Sequence, residues 1–388
     1  MSSSDAGTLD RGARAVIIAA ILTISAVGTG LSLMLPLLAI ELERMGASAT
    51  LNGLNTAVAG LANIVVAPLV PPFAARFGQR RLLLLCLAGL IATILAFPLL
   101  PSVAAWFVLR FVFGLAIGAL FVLSEFWITV SAPEARRGLI MGIYATVLAL
   151  GFAVGPAVLA LTGTAGWLPY LACAGLMALA IPPFALLPGA MPPIGDAPHP
   201  RVLPLIRLAP VATLAALMFG ALETGSFSQL PLYGLRRGLD DSGAALLVTW
   251  QALGNLAFQI PIGWLSDRVD RRKVLLACAL AGAAGALALI VLPLPGLAFI
   301  AVLVAWGGIT GAIYTVGLAH LGSRFAGADV AVANAVFVML YSTGMILGPP
   351  LAGLGMDLAG PSGLPLTLAL LLIAYALLVA ARIRRPAG

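Results

Sequence analysis

Charge is what this chain has least of. Of its 388 residues, only 9% are Asp, Glu, Lys or Arg, where a soluble domain carries about 25%. That scarcity excludes an ordinary water-soluble fold. Histidine is nearly missing, with 2 residues, and cysteine numbers only 3. This is too little for a Cys/His metal centre or a disulfide framework. Cys86, Cys173 and Cys278 each sit inside an apolar run and are read as small core residues. No phosphate-cradling loop with Gly-Lys-Ser/Thr occurs, which excludes an ATP-driven pump. The lack of a nucleophile motif or a His/Cys/Asp cluster argues against an enzyme, and the lack of a soluble sensing domain argues against a receptor.

What is present is apolar. Hydrophobic residues make up 62% of the chain and the mean hydropathy is +1.11. The apolar runs reach the roughly 20 residues that a helix needs to cross a bilayer, and strand-like alternation is absent. The expected fold is an all-α integral membrane protein. Twelve spans fit, near residues 15–39, 51–72, 82–100, 103–130, 139–161, 167–187, 207–232, 244–264, 274–293, 297–320, 331–354 and 364–381. The first is read as a retained span rather than a cleaved leader.

The chain repeats itself. Gly151-Phe-Ala-Val-Gly155-Pro156 recurs as Gly344-Met-Ile-Leu-Gly348-Pro349, 193 residues later. The basic stretch Gly263–Lys273 lies over Pro71–Arg81 at a spacing of 192. Two pseudo-symmetric six-helix bundles are expected, at 14–187 and 207–382. They are flanked by a disordered start (1–13) and a tail (383–388), and joined by a proline-rich cytoplasmic linker (188–206). Transporters are often built from such repeats, with the substrate site between them.

Placing the N-terminus in the cytoplasm puts 17 of the 21 Lys/Arg inside. Only Arg44, Arg236 and Arg237 fall outside, and Arg110 lies within a span. This is a strong positive-inside bias. It accounts for the pI near 9.9 without any nucleic acid, and predicts a multi-pass protein of the cytoplasmic membrane with both termini inside.

The loop Gly263-x-Leu265-x-Asp267-Arg268-x-x-Arg271-Arg272-Lys273 resembles the signature loop of the major facilitator superfamily. Arg110-x-x-x-Gly114 resembles that family's fourth-helix motif. Gly151-x-x-x-Gly155-Pro156 resembles the fifth-helix motif associated with proton-coupled exporters. The chain departs from these patterns at Pro71, Ala75, Phe113 and Leu159-Ala160, and Glu125-Phe126-Trp127 is similar to a less characterised bacterial branch. The resemblance implies alternating-access transport of a small organic molecule, with proton-coupled export first and proton-coupled import or uniport second. It implies a central cavity lined by the first, fourth, seventh and tenth helices. The implied partners are a small molecule, protons and the bilayer. No cofactor, metal or nucleic acid is called for, and a monomer is expected.

Candidate site residues follow. Arg110, Glu125 and Glu223 are ionisable groups within spans, which are costly there and mark function by default. Arg110 and Glu223 lie at similar depth and are expected to pair, directly or through water. Glu125 is 15 residues from Arg110, roughly 22 Å along a helix and too far to pair. Gly263, Asp267, Arg268, Arg271 and Arg272, with Arg76, Arg80 and Arg81, form a candidate cytoplasmic gate. In it Gly263 permits close helix approach, and Asp267 accepts from an Arg or caps a neighbouring helix. Gly151, Gly155, Pro156, Gly344, Gly348 and Pro349 are helix-packing positions. Asn55, Asn63, Gln251 and Asn255 either line a polar path or fasten helices. Phe121, Tyr144, Phe227, Trp250 and Tyr314 are candidate ligand contacts or packing residues.

Overall fold

Apolar stretches broken by proline, glycine and short polar segments can satisfy their backbone groups in a bilayer only by coiling into helices. The computed structural model describes residues 11–133, 136–182, 208–325 and 328–384, and among them no strand occurs. The helices of the first half are α1 (Arg11–Arg44), α2 (Ala49–Val66), α3 (Val70–Phe77), α4 (Gln79–Leu99), α5 (Val103–Ser131), α6 (Arg137–Thr162) and α7 (Leu168–Ala178). Those of the second are α8 (Pro210–Arg236), α9 (Asp241–Ser266), α10 (Arg271–Val291), α11 (Leu297–Gly322), α12 (Ala328–Ala359) and α13 (Gly363–Arg384). Ten stretches of the described residues are long and apolar enough to cross a membrane, and one of them, Val332–Arg384, takes in most of α12 and all of α13. The shorter α7 is apolar as well. The linker expected at 188–206, residues 1–10 and residues 385–388 lie outside the described residues.

The second expected span is not one helix. It stops at Val66, passes through a 3-10 turn at Ala67–Leu69 and resumes as α3. Pro68, Pro71 and Pro72 explain this, since each removes a backbone donor and its ring crowds the preceding turn.

Each half packs by the same plan. In the first, α1 lies on α6, α2 on α5, and α4 on both α5 and α7. In the second, α8 lies on α12, α9 on α11, and α10 on both α11 and α13. The doubled glycine phrase sits at equivalent contacts. A Cβ on Gly155 would lie 2.3 Å from the Thr29 carbonyl oxygen of α1, and one on Gly348 would lie 2.1 Å from that of Ala221 on α8. Ala221 and Thr29 are themselves 192 apart. A second contact is also duplicated. The Asn63 amide oxygen fills the space over Gly118, and that of Asn255 fills the space over Gly311. These two amides therefore occupy equivalent packing positions in each half.

The halves meet along α2 against α12 and α6 against α9, with α1 touching α8. At α2 and α12 the backbones nearly touch. A Cβ on Gly53 would fall 2.2 Å from the Pro349 carbonyl oxygen, and one on Gly353 would fall 2.2 Å from that of Ala49. Away from the interface, Leu85, Leu171, Leu280, Leu370 and Leu377 are exposed on α4, α7, α10 and α13, the surface such helices present to lipid. Helix α8 is buried along most of its length.

Polar contacts close the halves at the end that carries Arg44 and Arg236. Arg236 grips Glu43 with Nε at 2.8 Å and Nη2 at 3.0 Å. Arg44 donates to Asp241 and Glu41, and to the Thr164 hydroxyl at 2.6 Å. Asp357 on α12 accepts from the Ala49 and Thr50 backbone N–H groups at 3.0 and 2.9 Å, where the positive end of the α2 dipole favours an anion. Deeper in, Asn52 donates to the Ser228 carbonyl, Gln229 to that of Ala49 and Thr249 to that of Ala153. The three arginines that the topology reading assigns to the outside thus gather at the closed end, two of them in ion pairs. Replacing Asp357 with Ala removes two charge-assisted contacts at a helix start, worth about 1 kcal/mol. The expected outcome is an approximately fivefold shift toward a form open at this end, read as a longer distance between spin labels at Leu51 and Leu358. An unchanged distance distribution would show that the contact does not hold this end shut.

Candidate functional site

A cavity of about 60 Å³ lies where the two halves face one another. Leu31 and Leu35 reach it from α1, Thr56, Ala59, Gly60 and Asn63 from α2, and Arg110, Phe113, Gly114 and Ile117 from α5. Phe152 comes from α6, Glu223, Thr224 and Phe227 from α8, and Tyr341 and Met345 from α12. Gly114 is small for a reason. A Cβ there would meet the Ala59 backbone at 2.8 Å, so α5 can lie against α2 and bring Arg110 to the wall.

The two intramembrane charges expected at similar depth line this one cavity. Arg110 is 1% exposed and its guanidinium lies 5.7 Å from the centre of the Phe113 ring. Its Nε and Nη1 have no hydrogen-bond partner. Glu223 accepts a hydrogen bond from the Tyr341 hydroxyl at 2.6 Å. The expected direct pair is not formed: no ion pair joins Arg110 to Glu223 among the described residues. Tyr314, Tyr341, Phe219 and Phe337 form an aromatic cluster, mostly tilted or edge-to-face, with ring centres 5.1–5.9 Å apart.

Glu125 does not line the cavity. It is exposed on α5, and both Tyr144 and Tyr314 lie within its electrostatic reach. Tyr314 lies within the electrostatic reach of Glu223 as well. The Tyr144 hydroxyl shares a hydrogen bond with Ser124 at 3.1 Å, and Phe121 is half-buried on the same helix.

Among the other candidate ligand contacts, Phe227 lines the cavity and lies 5.8 Å from Phe152. Asn63 lines it too, with Oδ1 unpartnered. Asn55 is buried with Nδ2 unpartnered, and Gln251 donates to the Ser226 hydroxyl at 2.6 Å. Asn255 accepts from Gln259 at 3.0 Å, and Trp250 is half-buried. Asn55, Trp250, Gln251, Asn255 and Tyr314 are not part of the cavity wall.

The basic loop departs from its expected arrangement. A Cβ on Gly263 would meet nothing, so Gly263 supplies no close helix approach here. Asp267 accepts from Arg271 at 3.2 Å, four residues away, and is 68% exposed. A pair so exposed contributes little stability, and it joins one half to itself. The carboxylate that caps a helix of the opposite half is Asp357. Arg268 stacks on Trp264, Arg272 pairs with Asp270 at 3.1 Å, and Arg271 donates to the Ala319 carbonyl. The Arg272 side chain and backbone hold Asp270 below the ordinary carboxylate range, so that contact persists at neutral pH and is lost as acid protonates the group. Across the chain repeat, Arg76 lies over Phe77, and Arg80 and Arg81 are exposed.

Sequence reasoning passed over Gly53, Gly353, Asp357, Asn52 and Gln229. The signal available for Asp357 was a lone acid in an apolar run, a cue followed for Glu223 but not there.

Comparison with known proteins agrees with this geometry. The family model described as Major Facilitator Superfamily matches residues 17–248 and 212–388. An uncharacterized MFS-type transporter of Bacillus subtilis is 29% identical over 347 residues, covering 86% of each chain. Human monocarboxylate transporter 11 is 30% identical over 393 residues, covering 93% of this chain and 80% of its own. The crystal structure of the nucleoside transporter NupG superposes with a TM-score of 0.77 at 15% identity, over 97% of this chain and all of that one. That of a D-xylose–proton symporter gives 0.73 at 16% identity, over 94% and 96%.

Proposed function

The chain belongs to the Major Facilitator Superfamily, and on that premise we propose that it is a proton-coupled secondary transporter of a small organic molecule. The observation that carries this reading is Glu223, a carboxylate in the wall of a cavity between two pseudo-symmetric halves. Such a group binds and releases a proton when its surroundings change, and intramembrane carboxylates mark proton relays. The ionisable groups facing it are Arg110 from α5, Tyr341 from α12 and Tyr314 from α11. Closure at the Arg44 end and its rupture supply the alternation. Cytoplasmic placement of both termini follows from the cation bias. Asp267 and the neighbouring arginines are the candidate latch for the opposite conformation, in which their end would close.

Export is the direction that the Gly151-x-x-x-Gly155-Pro156 phrase favours. The named cargoes of the similar proteins are nucleosides, a sugar and monocarboxylates. They share little chemistry, so the cargo has to be read from the cavity of this chain. The test is flux in proteoliposomes. Cargo accumulation should follow an imposed pH gradient and collapse with a protonophore. Flux indifferent to the gradient would leave uniport as the better reading.

A further inference from the structure

The cavity holds a positive charge that no protein group receives. Arg110 is 1% exposed, and two of its guanidinium nitrogens are without partners. Buried donors left unmet are destabilising, the more so when charged, and a guanidinium carries five N–H donors suited to a carboxylate. Glu223 lies in the same wall but is bonded to Tyr341, and no ion pair joins it to Arg110 among the described residues. Most of the remaining wall is apolar, with Phe113, Phe152 and Phe227 nearest in kind to a small hydrophobic body. A cationic cargo would meet Arg110 with repulsion, and a neutral one could accept from its N–H groups but would leave its buried charge unbalanced.

We propose that the cargo is a small organic anion, a carboxylate whose head accepts from the Arg110 guanidinium and whose apolar body lies against Phe113, Phe152 and Phe227. This rests on the reading of Glu223 as the proton carrier. An ionised Glu223 repels the anion and draws on the charge of Arg110. A protonated Glu223 leaves Arg110 to the cargo. Proton and anion therefore bind together and move the same way, so export on this reading occurs only when the outward anion gradient outweighs any inward proton gradient.

The experiment is a thermal-shift panel on the purified protein, because a ligand that binds the folded state raises Tm by mass action. The probes are butyrate and benzoate, their neutral amides, and the matching amines, in mildly acidic and mildly alkaline buffer. Carboxylates should raise Tm, and more so in acid; amides and amines should not. Arg110→Gln should weaken apparent carboxylate affinity by about tenfold or more, the range expected for a lost charge-assisted contact. The comparison of acid with amide needs no variant, so it stands even if Arg110→Gln does not fold. Equal shifts from amides, no shift from either carboxylate, or full carboxylate binding in folded Arg110→Gln would overturn the proposal. Proton-driven flux of a neutral or cationic cargo, lost in Glu223→Gln, would sink the anion assignment and leave proton coupling standing. Carboxylate binding through Arg110 with no response to pH would uphold the assignment and sink the coupling.

Discussion

Glu223→Gln is expected to lower proton-driven flux by about 100-fold or more, because the group proposed to carry the proton is removed rather than weakened. The amide is nearly the same size and can still accept from the Tyr341 hydroxyl, which donates to Glu223 at 2.6 Å. Folding and cargo binding should therefore persist. Exchange of cargo against cargo, which needs no net proton movement, should survive in the same vesicles. The variant should also bind cargo with the same affinity across the pH range. The sign follows from the charge. The native carboxylate opposes an anion when ionised and stops opposing it when protonated, so native binding strengthens as pH falls. Unchanged proton-driven flux in Glu223→Gln would remove this residue from the mechanism.

Gly53→Leu should be as damaging by another route. A Cβ there would lie 2.2 Å from the Pro349 carbonyl oxygen and 2.7 Å from the Pro350 nitrogen. Both are backbone atoms, so no side chain can move aside. Overpacking of this kind costs about 1–3 kcal/mol or more, enough to displace a two-state equilibrium by roughly 5- to 150-fold. Each half keeps its own core, so the protein should fold. It should rest with the α2 and α12 ends apart, shown by a longer distance between labels at Leu51 and Leu358, and flux should fall to background. Gly53→Ala should show a smaller effect in the same direction. Wild-type flux in Gly53→Leu would mean that this approach is not needed for the cycle.

Much of this was legible from composition and repetition. The doubled Gly-x-x-x-Gly-Pro phrase implied equivalent helices, and Gly155 and Gly348 do rest on equivalent positions of α1 and α8. Arg110 and Glu223 stood out because a charge in an apolar run needs a reason. The contacts between halves were not legible. Asp357 and Ala49 are 308 residues apart, and nothing local to either announces the other. Gly263 shows the converse. Its place in a familiar loop suggested close packing, yet packing depends on what the opposite helix brings, and there the space is open. Tyr341 carries no local cue, since the hydroxyl donated to Glu223 comes from a helix brought beside α8 only in three dimensions.

The repeat is broken at the cavity. In register, Glu223 corresponds to Leu31 and Arg110 to Leu303, so each half supplies one charge where its counterpart has leucine. Two faithful copies of the first half would give two guanidinium groups and no carboxylate, and two of the second would give the reverse. One carboxylate in the wall limits the load there to a single proton per cycle. A singly charged anion moving with that proton carries no net charge across the bilayer. Such a carrier would be blind to the membrane voltage and driven only by the two concentration ratios.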